Sequence, residues 1–182
     1  MNIPKATVHF KLALKHLGHD VDREGLKDTP TRWVKFMREF MSPPNFKMTK
    51  FKNEGLNEMI VLENIPFFSL CEHHVAPFFG TATIAYIPVD TILGLSKLPR
   101  ALDMIANNLQ NQERITHKVG EYIMKQAHPL GVGVSLTARH LCMEMRGVKK
   151  HGTNTTTTAL FGAFQKPEVK SEFLQYIRKN GK

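Results

Sequence analysis

A chain of 182 residues with a formal charge of +9, 42% hydrophobic and 23% charged residues, is composed like one globular domain. No apolar run approaches bilayer-spanning length, and Met1 to Asp20 lacks the continuous apolar stretch of an export signal, so a cytoplasmic protein is expected. Two cysteines cannot supply a disulfide framework, which leaves metal ligation or catalysis as their chemistry. The basic balance suits nucleic acid or a phosphorylated substrate.

In chain order, Phe10, Ala13, Leu14 and Leu17 fall at helical spacing and predict a short amphipathic helix. Thr29-Pro30 reads as an N-cap followed by proline in the first turn, and Trp33, Met37, Phe40 and Met41 supply that helix with a buried stripe until Pro43-Pro44 stops it. Residues 60–68 and 80–87 are rich in β-branched and aromatic types and predict strands, with Pro66 putting the first near an edge or bulge. Ser96 caps a helix carrying Leu102, Ile105 and Leu109. A longer helix carries Ile115, Val119, Tyr122 and Ile123 and ends by Pro129 and Gly131. Residues 132–142 and 153–164 read as strands, and a last helix from Pro167 buries Val169, Phe173 and Ile177. Helices and strands in blocks, without βαβ alternation, predict an α+β domain. Residues 1–50 read as a helical extension and 51–182 as the domain proper.

The densest ligand cluster is Cys71-Glu72-His73-His74, where a cysteine and a histidine three apart can meet one metal from a turn. His140-Leu141-Cys142 is the second. If the strand continues to residue 142, His140 and Cys142 share a face with Val132, Val134, Leu136 and Ala138, and Glu144 and Arg146 follow on the same side. An apolar face that runs into an imidazole and a thiol needs partners for them, and a metal supplies one. Three protein ligands leave an open, catalytic position; four close the site. Spacing leaves both arrangements open.

Gly94-Leu95-Ser96-Lys97-Leu98-Pro99-Arg100 starts a helix with two cations in its first turn. With free backbone N–H groups that is a phosphate site. Gln112-Glu113-Arg114 is a charged start to the next helix.

Together these motifs resemble the GTP cyclohydrolase I family. The resemblance rests on Cys71-Glu72-His73-His74, Gly80 to Pro88, Gly94 to Lys97 with Arg100, Gln112-Glu113-Arg114, His140 to Met143 and Met145 to Val148, in order over residues 60–165. Thr29-Pro30 and Arg32 fit the family's N-terminal part. Asn108, where the family often has arginine, and residues 151–154 depart from its pattern. The resemblance implies the tunnelling fold, an antiparallel sheet packed with helices and assembled into a toroid, usually a decamer of two pentamers with sites between subunits. It implies GTP as substrate, with no nucleic acid or membrane as partner. It also implies an open Zn2+ site held by Cys71, His74 and Cys142, with His73 and His140 free as acid–base groups. Zinc-activated water would attack C8 of the guanine, His140 would protonate the adjacent ring nitrogen, and formate and dihydroneopterin triphosphate would follow. Glu113 would accept from the base edge, with Gln112 beside it. Ser96, Lys97, Arg100 and Arg146 would hold the ribose and triphosphate, with Arg32 and Lys35 adding from the N-terminal helix. Two rivals are a nitrile reductase of the same superfamily, which needs a nucleophilic cysteine and a nicotinamide cofactor, and a zinc-stabilised nucleic-acid-binding protein with four closed ligands.

Overall fold

The computed structural model describes residues 1–43 and 45–179, and the chain divides into one unit ending at Pro43 and a larger one beyond it. In the first unit, Asn2 opens helix α1 (Ile3–His16) by accepting from the Lys5 amide at 3.1 Å. The second helix, α2 (Thr29–Phe40), packs on it, and Phe10 stacks on Trp33 with centroids 4.1 Å apart. Two details differ from the periodic reading. The cap position is Asp28, one residue earlier than expected, without a side-chain bond to the helix. The buried stripe of α2 is Pro30, Val34 and Met37, while Leu17 at the end of α1 is 74% exposed.

The larger unit is a mixed helix-and-strand domain whose sheet is almost wholly antiparallel. A two-stranded ribbon pairs β1 (Lys50–Lys52) with a short strand, Thr91–Leu93. The main sheet contains β2 (Ile60–Cys71) and β3 (Pro77–Ile87), with the ribbon strand Thr91–Leu93 counted as β4. The helix α3 (Lys97–Ala106) then leads through a two-residue strand, β5 (Leu109–Gln110), into the helix α4 (Gln112–Ala127). The chain returns as β6 (Gly131–His140), makes one helical turn, α5 (Leu141–Glu144), and crosses back as β7 (Asn154–Gly162). A 3-10 turn and α6 (Pro167–Lys179) end it. The strand order is β5-β2-β3-β6-β7, with only β2 and β5 parallel.

Side-chain alternation decides which face is covered. Val132, Val134, Leu136 and Ala138 of β6 are buried with Ile84, Tyr86, Leu98, Leu102, Ile115, Val119 and Ile123 in the main core, under α3 and α4. The opposite face is covered at one end by Phe164 and Phe173, which pack on Ala85 and Ile87. Gly133 is required there, since a Cβ would meet the Phe164 and Phe173 rings. Pro66 follows an irregularity between Leu62 and Ile65, where Asn64 takes a φ of 55°.

Three expectations about element ends change. Leu109 leaves the α3 face and lies 37% exposed in β5. Ser96 is the α3 cap residue but makes no side-chain cap bond. Strand β6 stops at His140, so Cys142 sits in a helical turn and the alternation that carried the strand to residue 142 does not hold.

Candidate metal site

Strand directions bring the ligands together. Strands β2 and β6 flank β3 and both run antiparallel to it, so their C-terminal ends, Cys71 and His140, reach the same end of the sheet. β5 runs parallel to β2 at Leu70 and Cys71, which delivers the start of α4 to that end as well. Beyond Cys71 the chain turns at once: Cys71 N–H donates to Ala76 O at 2.8 Å, and the His74 and Val75 amides donate back to Cys71 O. Val75 has φ 54°, an unusual conformation for a β-branched residue.

This turn and α5 place the donor atoms of Cys71, His74 and Cys142 within 4.8 Å of one another. Cys71 Sγ is 3.8 Å from His74 Nδ1. Tetrahedral bonds of about 2.0–2.3 Å set donor atoms about 3.3–3.8 Å apart, so these three close on a transition metal with little movement. Two thiols and an imidazole are a soft donor set suited to zinc. Burial raises the Cys142 thiol above its ordinary pKa and the neighbouring Cys71 raises it further, against the lowering pull of Arg146. Neither thiol is bridged. A dication between them reverses this reluctance to ionise.

His73 is exposed, with Nδ1 3.7 Å from Cys71 Sγ, and it falls outside the three-residue donor cluster. His140 lines the same cavity of about 200 Å³, with Glu113, Asn111 and Phe78. Its ring stacks flat on Phe78, with centroids 4.6 Å apart at 5°. Burial lowers its pKa, while the Glu113 charge acts in the opposite direction.

Gln112, expected at the substrate, lines this cavity and is held by the scaffold. It is buried, and its Nε2 donates to Leu136 O and Thr155 O, both at 2.9 Å, and to Thr157 Oγ1 at 3.1 Å. Backbone carbonyls only accept, so the amide orientation is fixed and Oε1 faces His140 Nε2 at 2.8 Å. His140 therefore donates from Nε2, which leaves Nδ1 as the ring atom with a free proton site. Sequence spacing gave no sign of this bond, because its partners are 28 positions apart.

The free backbone N–H groups expected at the start of α3 are already paired. Lys97 N–H donates to Gly94 O at 2.8 Å, Leu98 N–H donates to Leu95 O at 3.3 Å, and Pro99 has no N–H, so the first-turn amides are already spent. The side-chain cations of Lys97 and Arg100 remain. Neither they, nor Ser96, nor Arg146 line the cavity. Arg32 and Lys35 lie on α2 in the N-terminal unit, where Arg32 pairs with Asp28 at 3.5 Å. Glu144, expected to follow His140 and Cys142 on one strand face, is instead buried and paired with Arg139.

A soft-ligand metal pocket at the end of an antiparallel sheet, with an oriented imidazole beside it, is the class of site that this geometry defines. A sequence profile described as GTP cyclohydrolase I matches residues 6–178. A protein of Aquifex aeolicus named GTP cyclohydrolase 1 is 46% identical over 170 residues, 92% of each chain. Relatives of that name from Parabacteroides distasonis (44% identical, 94% of this chain and 91% of theirs) and Coxiella burnetii (43%, 94% and 96%) match as fully. The chain belongs to the GTP cyclohydrolase I family. The solved apo structure of an archaeosine synthase QueF-Like overlaps 58% of this chain and 94% of its own at a TM-score of 0.48 and 15% identity, too loose a likeness to bear on fold or activity. Among the described residues, no helix is long and apolar enough to cross a membrane.

Proposed function

We propose that this chain opens the imidazole ring of GTP by hydrolysis, releases formate and yields 7,8-dihydroneopterin triphosphate, at a Zn2+ site held by Cys71, His74 and Cys142. The observation that carries this reading is the convergence of those three donors beside His140, in a chain that belongs to this family. When bound, zinc supplies Lewis-acid activation of water near neutral pH. His140, with Nε2 committed to Gln112, handles the proton of the guanine ring nitrogen at Nδ1. Glu113, in the first turn of α4 and on the cavity wall, accepts from the guanine edge. Exposed His73 assists near the ribose. Lys97, Arg100 and Arg146, with Ser96, and with Arg32 and Lys35 of the N-terminal extension, bind ribose and triphosphate through charge-assisted hydrogen bonds.

The same reading takes the domain as a tunnelling fold (residues 51–182, after an extension of 1–50) in a cytoplasmic decamer of two pentameric rings. Two features support the ring. Among the described residues no strand pairs beyond β7, and β5 is the strand paired outside β2, at Leu70 and Cys71. Edge strands left open on opposite sides of a sheet suit head-to-tail closure. Cations that miss the cavity in their own chain are then free to serve a neighbour's.

The test is direct. Purified full-length protein loaded with zinc and given GTP should release formate and a product that becomes a fluorescent pterin on oxidation. Folded, zinc-loaded protein that leaves GTP intact would overturn the assignment.

A further inference from the structure

Each turn that carries a thiol is tied to the scaffold by an arginine–carboxylate fork. Glu72, between Cys71 and His73, receives Arg114 Nη1 at 2.6 Å, Arg114 Nη2 at 2.9 Å and Asn111 Nδ2 at 3.1 Å. Its own amide donates to Gln110 O at 3.0 Å, and Arg114 Nη1 also donates to Gln110 Oε1 at 3.2 Å. The turn holding Cys71 and His74 is thereby fastened to the start of α4. On the other side, Glu144 closes the α5 turn that carries Cys142. It receives Arg139 Nε at 2.8 Å and Nη2 at 2.5 Å, and is 4% exposed. Arg139 belongs to β6, so the Cys142 turn is fastened to the strand before it.

Single exposed ion pairs contribute little, but bidentate forks with added hydrogen bonds fix both distance and angle. Neither carboxylate is placed as a ligand: both oxygens of each are held by arginine. We propose that Arg114–Glu72 and Arg139–Glu144 are positioning pairs that set the separation of the two thiolates, and so the affinity for the metal. The proposal rests on the reading of Cys71, His74 and Cys142 as ligands. Groups that orient metal ligands from behind typically matter 10–100-fold in affinity, because an unfastened ligand must be ordered when the metal binds.

The experiment compares full-length wild type with Arg114→Lys and Arg139→Lys, which keep the charge and lose the fork. Zinc affinity is read by competition with a chromophoric chelator, and the metal-free proteins are melted alongside. Cobalt binding adds a spectrum sensitive to thiolate geometry. Each variant should bind zinc about 10–100-fold more weakly, with an altered cobalt spectrum and a metal-free melting temperature close to wild type. Should Arg139→Lys fail to fold around the buried Glu144, the double variant Arg139→Met/Glu144→Gln removes both charges together. Folded variants that bind zinc as tightly as wild type would overturn the positioning role. Wild type that binds no zinc would instead overturn the ligand assignment beneath it.

Discussion

Around Cys71 and Cys142, the side chains of Glu72, Asn111, Gln112, Arg114, Arg139, His140 and Glu144 all find hydrogen-bond partners within the chain. At the start of α3 the pattern reverses. Ser96 makes no cap bond, and among the described residues Lys97 and Arg100 enter no side-chain hydrogen bond or ion pair. The braced region is held by the chain's own bonds, which suits the reacting centre proposed there. On the proposed reading, the unbraced cations keep their charge for the triphosphate. Losses in the first region should therefore appear in turnover and metal content, and losses in the second in substrate affinity.

The largest expected effects break the braced region at two different points. Cys142→Ala should lose zinc and turnover together, whereas His140→Ala should keep zinc and lose roughly 10²–10⁴ in kcat. Metal analysis beside kinetics separates them, and an empty metal site in His140→Ala would show that the division of roles is wrong. Next comes Gln112→Met, which takes the donor from Leu136 O and Thr155 O and releases His140. Stability should fall by about 1–3 kcal/mol and kcat by roughly 10–100-fold, with zinc retained. Denaturant titration and steady-state kinetics read both.

In the unbraced region, Lys97→Ala and Arg100→Ala should raise KM for GTP while stability stays within about 0.5 kcal/mol. An unchanged KM would remove these residues from the triphosphate site. The smallest effect lies at a half-buried carboxyl of the same helix. Burial raises the Asp103 carboxyl above its ordinary value of 3.8. The native state then favours the protonated form, so stability present below pH 3.8 is lost as pH rises through the raised folded value. Asp103→Asn should be neutral in acid and stabilising at pH 7, by less than about 1 kcal/mol. Melting curves at the two pH values check the sign.

What the sequence made legible follows from the range of the forces involved. Alternation along β6 marked Val132, Val134, Leu136 and Ala138 as core, and periodicity marked Ile115, Val119 and Ile123, because burial on one face is a local pattern. The end of β6 was not legible: nothing in His140-Leu141-Cys142 announces a switch to a helical turn, although His140 and Cys142 still line one cavity. The first-turn amides of α3 were misread for a similar reason, since Gly94 and Leu95 carbonyls capture them only once the chain has turned. The partners of Glu72 and Gln112 lie up to 45 positions away, beyond any spacing rule. Charged residues set directly beside metal-ligand motifs, as in Glu72 and Glu144, were the available hint. β1 and β4, three residues each, are too short to carry a pattern.

The meeting of β2 and β6 at one end of the sheet has a consequence for the unfolded chain. A metal shared by Cys71 and Cys142 closes a covalent-like ring that contains all of β3, α3, α4 and β6. Such a closure removes conformations from the unfolded ensemble, as a long-range cross-link does. The ion would then serve as a topological staple through most of the domain. Chelation should loosen that end of the sheet first, and amide exchange would register it at Cys71 and His140 before the strand centres.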